Sequence, residues 1–328
     1  LFYLYCSLIT SSFSIIERIR YKKILKSMKC PKDPIFIVGH WRSGTTFLHQ
    51  LMNQSPELTS PSLFQVATPD CFLTGKKFLV PHIRPFLSKK RSVDNVRIGL
   101  DEPQEDEYAL FRMTTLSPVE RLIFPRESAF FLHKCDSYLP SKYKKSIWRD
   151  ALQTFCKILY LKSRKRIVLK NPFHSMRIHY LRNIFPNAKF VHIYRNPLKV
   201  IPSSLRMWDI VGKQNALIDK SPSPSMIQIV ETYDKMLSKI QNDFSYMKNT
   251  HYIEIAYEEL ESKPIETVKE ICKRMNVGFT KTYENNINHF LNKIGPFKKN
   301  RYTLTFRQKK YIQDKLVHHM EKYGYRPV

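Results

Sequence analysis

The stretch "PIFIVGHWRSGTTFLHQLM", Pro34–Met52, sets an apolar run against two glycines and then a second apolar run. Pro34 and Gly39 bound the apolar run Ile35–Val38, the pattern of a strand buried on both faces. A helix is expected from about Thr45 to Asn53. Between the two, "GHWRSGTT" places Gly39 and Gly44 as G-x-x-x-x-G, the first part of a phosphate-binding loop. The glycines let the backbone turn tightly, so successive N–H groups can face an anion. The helix that follows adds its positive N-terminal end. A nucleotide triphosphatase would carry a lysine after the second glycine, where this chain has Thr45 and then Thr46. The cation inside the loop is Arg42.

Three further apolar runs read as buried strands: "RIVLK", "AKFVHIY" and "HYIEIAY". Helical patterns lie between them, at about Pro103–Thr114, Ser141–Leu161, Ser175–Phe185, Pro197–Trp208, Pro224–Met247, Pro264–Met275 and Phe306–Lys322. Strands alternating with helices predict a three-layer α/β/α fold around a central parallel sheet, like that of P-loop nucleotide triphosphatases. Residues 209–224 read as a mobile loop. No long linker, repeat or low-complexity segment divides the chain, so residues 1–328 are expected to form one domain.

The chain has 328 residues, of which 42% are hydrophobic, enough for a packed core. Its 55 Lys+Arg against 28 Asp+Glu give a formal charge of +27, which favours anionic partners. That charge is spread along the chain, and no clustered basic–aromatic motif suggests a nucleic acid. The cysteines, Cys6, Cys30, Cys71, Cys135, Cys156 and Cys272, form no Cys-x-x-Cys pair and have no histidine at metal-site spacing. Reduced thiols, a cytoplasmic location and no metal site are expected. The opening run "LFYLYCSLITSSFSII" is too short and too broken by Ser and Thr for a membrane span. Residues 1–30 are read as an N-terminal helical extension, either docked on the body or lying at a membrane interface.

A second anion site is written in "FVHIYRNPLKVIPSSLRMW". Arg195 stands where the strand ends, Asn196 can cap the next helix, and Pro197 suits its first turn. Ser203 follows on that helix. Ligands of parallel sheets bind at this carboxyl edge. Pro202 removes a backbone hydrogen bond and is expected to kink the helix. Neither "RIVLK", ending in Lys170, nor "AKFVHIY" offers the strand-end acid that would hold Mg²⁺. Two anion sites without a metal acid suggest a ligand with two separate phosphate groups.

These motifs resemble the sulfotransferase family, which uses 3′-phosphoadenosine 5′-phosphosulfate (PAPS) and releases 3′-phosphoadenosine 5′-phosphate. "RSGTT" is similar to the family's 5′-phosphosulfate loop, and Arg195, Asn196, Pro197 and Ser203 to its 3′-phosphate motif. "VLKNPFH" and "FPNAKFVHIYRNP" also match family patterns. The likeness runs from about Ile35 to Tyr257. It implies that Arg42, Ser43, Gly44, Thr45 and Thr46 hold the 5′-phosphosulfate, and that Arg195 and Ser203 hold the 3′-phosphate. Phe47 and Tyr257 would then neighbour the adenine. "GPFKKNRYTL" resembles the basic closing loop, with Lys298, Lys299 and Arg301 as candidates.

Sulfuryl transfer needs a group that takes the acceptor's proton and cations for the leaving phosphate. Glu105 in "LDEPQEDEYALFR" stands first for the base, ahead of His174 in "KNPFH" and Glu107. Acids in a first helical turn are also favoured by the helix dipole alone. Lys170 and Arg42 are candidates to assist the leaving group. The acceptor is expected to be a small-molecule alcohol. The 13% aromatic content and apolar stretches such as "SAFFLHK" would suit a sterol or lipid alcohol, with a carbohydrate acceptor or a P-loop kinase as alternatives.

Overall fold

The computed structural model describes residues 2–86, 99–123, 141–215, 223–295 and 302–326. Five strands form one sheet: β1 (Ile35–Val38), β2 (Leu58–Thr59), β3 (Arg166–Lys170), β4 (Lys189–Tyr194) and β5 (Tyr252–Ala256). Their order is β2-β3-β1-β4-β5, and every neighbouring pair is parallel. Ile35 sits level with Val168 on one side and with Lys189 on the other.

The helices are α1 (Phe2–Ser27), α2 (Thr45–Met52), α3 (Leu63–Ala67), α4 (Lys76–Ile83), α5 (Glu107–Thr114), α6 (Glu120–Ile123) and α7 (Lys142–Ser163). They continue as α8 (Ile178–Ile184), α9 (Pro197–Asn215), α10 (Met226–Ser245), α11 (Tyr257–Ser262), α12 (Pro264–Met275), α13 (Lys281–Ile294) and α14 (Phe306–Lys322).

The two-residue period of a strand sorts the apolar residues into two cores. Phe36, Val38, Ile167, Leu169 and Phe190 face one layer, packed against Trp148 and Phe155 of α7, Val200 of α9, Ile240 of α10 and Leu316 of α14. Ile35, Ile37, Val168, Val191 and Ile193 face the other, packed against Leu48 of α2, Ile271 of α12 and Tyr283 of α13. Both faces of the sheet are therefore covered, which is why its strands read as unbroken apolar runs. This is the three-layer α/β/α architecture expected from the sequence.

Several boundaries differ from expectation. The helix expected from Pro103 begins at Glu107, because residues 102–104 are held by the chain before α3. Leu63 N donates to the Glu102 carbonyl, Gln104 N to the Pro61 carbonyl, and Ser62 bridges Pro103. Glu105 consequently lies ahead of α5 rather than in a first helical turn. Residues 209–215, read as loop, continue α9, and Lys213 pairs with Asp209 one turn back at 2.8 Å. The rest of that loop, 216–222, lies outside the described residues. α9 also runs through Pro202 without a break.

Helix α1 lies against the body. The Glu17 carboxylate accepts hydrogen bonds from the Thr74 amide and hydroxyl, both 2.9 Å, and Lys157 donates to the Leu25 carbonyl. Among the described residues, no helix is long and apolar enough to cross a membrane. Cys30, Cys71, Cys156 and Cys272 are free thiols, and burial pushes the thiols of Cys71 and Cys272 up to about 12.

Candidate active site

β1 ends at Val38, and the chain turns at once through Gly39. A Cβ there would stand 2.4 Å from the Ile193 carbonyl oxygen, on a backbone with φ 145°. Gly44, at φ 101°, is more constrained still: its Cβ would meet the Tyr257 ring at 2.2 Å. Arg42 adopts φ 69°, a left-handed conformation rarely taken by residues with a Cβ. The turn is closed from inside by the Ser43 hydroxyl, which donates to the His40 carbonyl at 2.7 Å. Ser175 braces its start, accepting from the Gly39 amide at 2.9 Å. Gly44 is the N-cap of α2 and offers no side-chain acceptor, so the first-turn amides Thr45, Thr46 and Phe47 lack a capping side chain. That end of the helix is suited to an anion.

The second anchor follows β4. The Asn196 side chain caps α9 by accepting from the Leu198 amide at 2.9 Å. Arg195 is fixed from three sides. Its Nη1 donates to the Arg42 carbonyl at 3.3 Å, its guanidinium lies 4.1 Å over the Tyr257 ring, and its own carbonyl accepts from the Tyr233 hydroxyl. Ser203 accepts from Arg42 Nε at 2.9 Å and from the Tyr302 hydroxyl at 3.4 Å. Arg42, Gly44, Arg195, Ser203 and Tyr257 are thus brought together across the gap between β1 and β4. The strand order changes direction at this point, the usual place for a ligand crevice in such sheets. Phe47 instead packs on the α2–α12 core. Lys298, Lys299 and Arg301 lie outside the described residues. Tyr302 was not singled out by sequence reasoning, although it lies within the basic stretch that was.

The acidic segment delivers its carboxylates to different places. Glu105 reaches Lys170 Nζ at 2.6 Å, at the carboxyl end of β3. Lys170 Nζ is 3.5 Å from the Thr46 hydroxyl, which links Glu105 to the phosphate-binding loop. Glu105 keeps part of its side-chain surface accessible (18%), whereas Lys170 is 2% exposed. Asp106 and His174 form a fully buried pair at 2.8 Å, and Arg177 lies 3.2 Å from the other His174 nitrogen. Glu107 is equally buried, bound by Arg177 at 2.5 Å, Asn171 at 2.6 Å and Ser117 at 2.7 Å. Burial works to raise the Glu107 carboxyl, but the charge and hydrogen bond of Arg177 outweigh it and hold it below the ordinary range.

Of the three proton-accepting candidates, only Glu105 keeps accessible surface. His174 packs edge-on against Phe36 in the core, and Glu107 fastens the end of β3 to α5. Arg177, which braces this network, and Ser175, which braces the start of the loop at Gly39, were not anticipated. The signal lay in "NPFHSMR", whose polar residues sit in and around a 3₁₀ turn with little solvent exposure to explain them.

Known proteins are similar to this chain along nearly its whole length. The omega-hydroxy-beta-dihydromenaquinone-9 sulfotransferases Stf3 of Mycobacterium bovis and Mycobacterium tuberculosis are each 29% identical over 323 residues, covering 98% of this chain and 83% of theirs. Among solved structures, sulfotransferase STF9 from Mycobacterium avium superimposes with a TM-score of 0.73 at 15% identity, over 95% of this chain and 82% of that one. Sulfotransferase STF1 from Mycobacterium tuberculosis gives 0.67 at 17% identity, over 97% and 84%. The model of the sulfotransferase family matches residues 34–281, a span holding all five strands, both arginine anchors and the Lys170–Glu105 pair. With that match over most of its length, the chain belongs to the sulfotransferase family and is a transferase enzyme.

Proposed function

We propose that the enzyme takes a sulfuryl group from 3′-phosphoadenosine 5′-phosphosulfate to the hydroxyl of a lipid-type alcohol, with Glu105 as the base. The observation that carries this reading is the convergence of two arginine anchors and one buried Lys–Glu pair on a single loop. The residues fit the donor. Arg42 and the uncapped start of α2 suit the 5′-phosphosulfate, while Arg195 and Ser203, already set by Tyr257 and Tyr302, suit the 3′-phosphate. When bound, the donor supplies the sulfuryl group, and 3′-phosphoadenosine 5′-phosphate leaves. Glu105 would take the proton from the acceptor's hydroxyl. Lys170 fixes Glu105 Oε1, leaving Oε2 to receive that proton, and holds the carboxylate beside Thr46. Arg42, permanently charged, faces the negative charge left on the phosphate. His174 and Glu107 act at one remove, by holding the ends of β3 and α5 in register.

Support for a lipid acceptor comes from the Stf3 relatives, whose name gives a hydroxylated menaquinone derivative as substrate. α1 adds to it. Ile15, Ile16 and Ile19 are exposed on its outer side, at 58%, 51% and 74%. Their stripe continues into exposed Lys22, Lys23 and Lys26, with Arg18 and Arg20 beside it. Isoleucines that enter a bilayer and cations that meet anionic headgroups are the parts of an interfacial helix. Free thiols with raised pKa suit a reducing, cytoplasmic setting.

The test is sulfuryl transfer from radiolabelled donor to a panel of isoprenoid alcohols, sterols, glycans and phenols. Label is expected in the isoprenoid and sterol fractions. Transfer to glycans alone would replace the lipid reading with a carbohydrate one.

A further inference from the structure

Far from the sulfuryl-transfer cleft in sequence, the C-terminal part of α14 carries consecutive histidines, His318 and His319, both of which turn toward Asp234 of α10. Their Nε2 atoms lie 3.1 and 2.9 Å from the same carboxylate oxygen, Asp234 Oδ1. Adjacent residues of a regular helix project about 100° apart, so they do not ordinarily share a target. Here the helix departs from regular geometry at Leu316 (φ −113°, ψ 17°), two residues before His318. That kink brings the two rings to a centroid separation of 3.9 Å, with both Nε2 atoms on one point.

We propose that Asp234, His318 and His319 form a binding site for a divalent transition-metal ion of the zinc type, which fastens α14 to α10. The three ligand atoms lie within 4.8 Å of one another. Metal–ligand bonds of about 2.0–2.2 Å in a tetrahedron set ligand atoms roughly 3.3 Å apart. The two nitrogen–carboxylate separations, 2.9 and 3.1 Å, need to open by only a few tenths of an ångström to reach that spacing. Two imidazoles and one carboxylate are a donor set for zinc and its neighbours rather than for calcium or magnesium, which take oxygen ligands.

The surroundings agree. His319 is buried, at 1% exposed, while His318 and Asp234 are open to solvent at 54% and 44%. One ligand is thus held rigidly, and the other two leave a path for the ion and a place for water as fourth ligand. The Gln241 amide lies 3.1 Å from His319 Nδ1. Turned so that its oxygen accepts from Nδ1–H, it fixes the tautomer that leaves the Nε2 lone pair for the metal. Tyr233, edge-on to the His319 ring, connects this corner to Arg195 through its hydroxyl.

The experiment is titration of the chelator-treated full chain with Co²⁺ and Zn²⁺. One ion per chain is expected, with the visible absorption of four-coordinate cobalt and no thiolate charge-transfer band. Affinity should fall at least about tenfold in His318→Ala and in Asp234→Asn, and by about 10–100-fold in Gln241→Leu, which touches no ion. Zinc should raise the melting temperature of the parent and not that of His318→Ala. His318 is largely exposed, so this variant is expected to keep its fold, checked by its melting temperature without metal. Absence of bound ion, binding unchanged in both ligand variants, or a thiolate band pointing to the cysteines would each overturn the proposal.

Discussion

Glu105 and His174 are linked through Asp106, which follows Glu105 in the chain and pairs with His174, yet their surroundings predict opposite results of mutation. Glu105→Gln removes the proton acceptor while keeping the shape. Turnover should fall by about 10²–10⁴-fold, with 3′-phosphoadenosine 5′-phosphate binding held within about threefold. His174→Ala instead leaves Asp106 buried without its partner, so it should lower the melting temperature first. Calorimetric titration with the product nucleotide and single-turnover assays separate the two. A variant of Glu105 with full turnover would remove it as the base. Arg195→Ala deletes a charged hydrogen-bond donor from the second anchor, and product-nucleotide affinity should drop by about 10–100-fold. Unchanged affinity would contradict its assignment. At this scale the sequence was informative where local geometry depends on neighbours in the chain: Arg42 beside Gly44, Arg195 beside Asn196. It was silent where the geometry depends on contacts across the fold. Asp106–His174, Arg177–Glu107 and Tyr302–Ser203 join distant segments, and no local pattern announces them.

Among the elements, the phosphate-binding loop carries an acid sensitivity of its own. His40 is buried beneath it, with Nδ1 donating to the Trp41 carbonyl at 2.8 Å and Nε2 without a partner among the described residues. Burial pushes this imidazole down to about 4, from an ordinary value of 6.5. The unfolded chain takes up a proton as pH falls below 6.5, and the folded chain does not until about 4. Stability from this group is therefore complete above 6.5 and declines through that window. Urea denaturation should show a loss of about 1 kcal/mol between pH 7 and 5.5 from His40. His40→Asn, which keeps a donor for Trp41, should flatten that part of the slope; an unchanged slope would exclude His40 as its source. The strands were legible because burial on both faces leaves only apolar residues in them. The start of α5 was not, since residues 102–104 are claimed by Pro61 and Leu63. α13 escaped notice for a related reason: its buried residues are Tyr283 and Ile287 alone, too few to give a clear period.

Across the whole molecule, the positive charge and the outward isoleucines of α1 predict a preference for anionic bilayers. Co-sedimentation should be strong with vesicles containing phosphatidylglycerol and weak with phosphatidylcholine alone, and should decrease with salt. Replacing Ile15, Ile16 and Ile19 together by serine should weaken sedimentation without altering donor affinity. Equal binding by parent and variant would show that α1 is not the contact. The sequence offers docking and interfacial placement of this segment as alternatives, and it does not show that one helix packs Glu17 against the body while leaving Ile15, Ile16 and Ile19 exposed on its other side. The sheet order has a further consequence, for how the molecule comes into being. β1 sits at the centre, yet neither of its neighbours is close to it in sequence: Ile35 pairs with Val168 and with Lys189. During synthesis the chain emerges from its N-terminus, so "IFIV" leaves the ribosome well before either partner exists. Loop closure over such separations slows folding, and an unpaired apolar strand invites aggregation in the interval. Recombinant yield should therefore depend on synthesis temperature and chaperone supply, and it is the first-made strand that waits longest for its place.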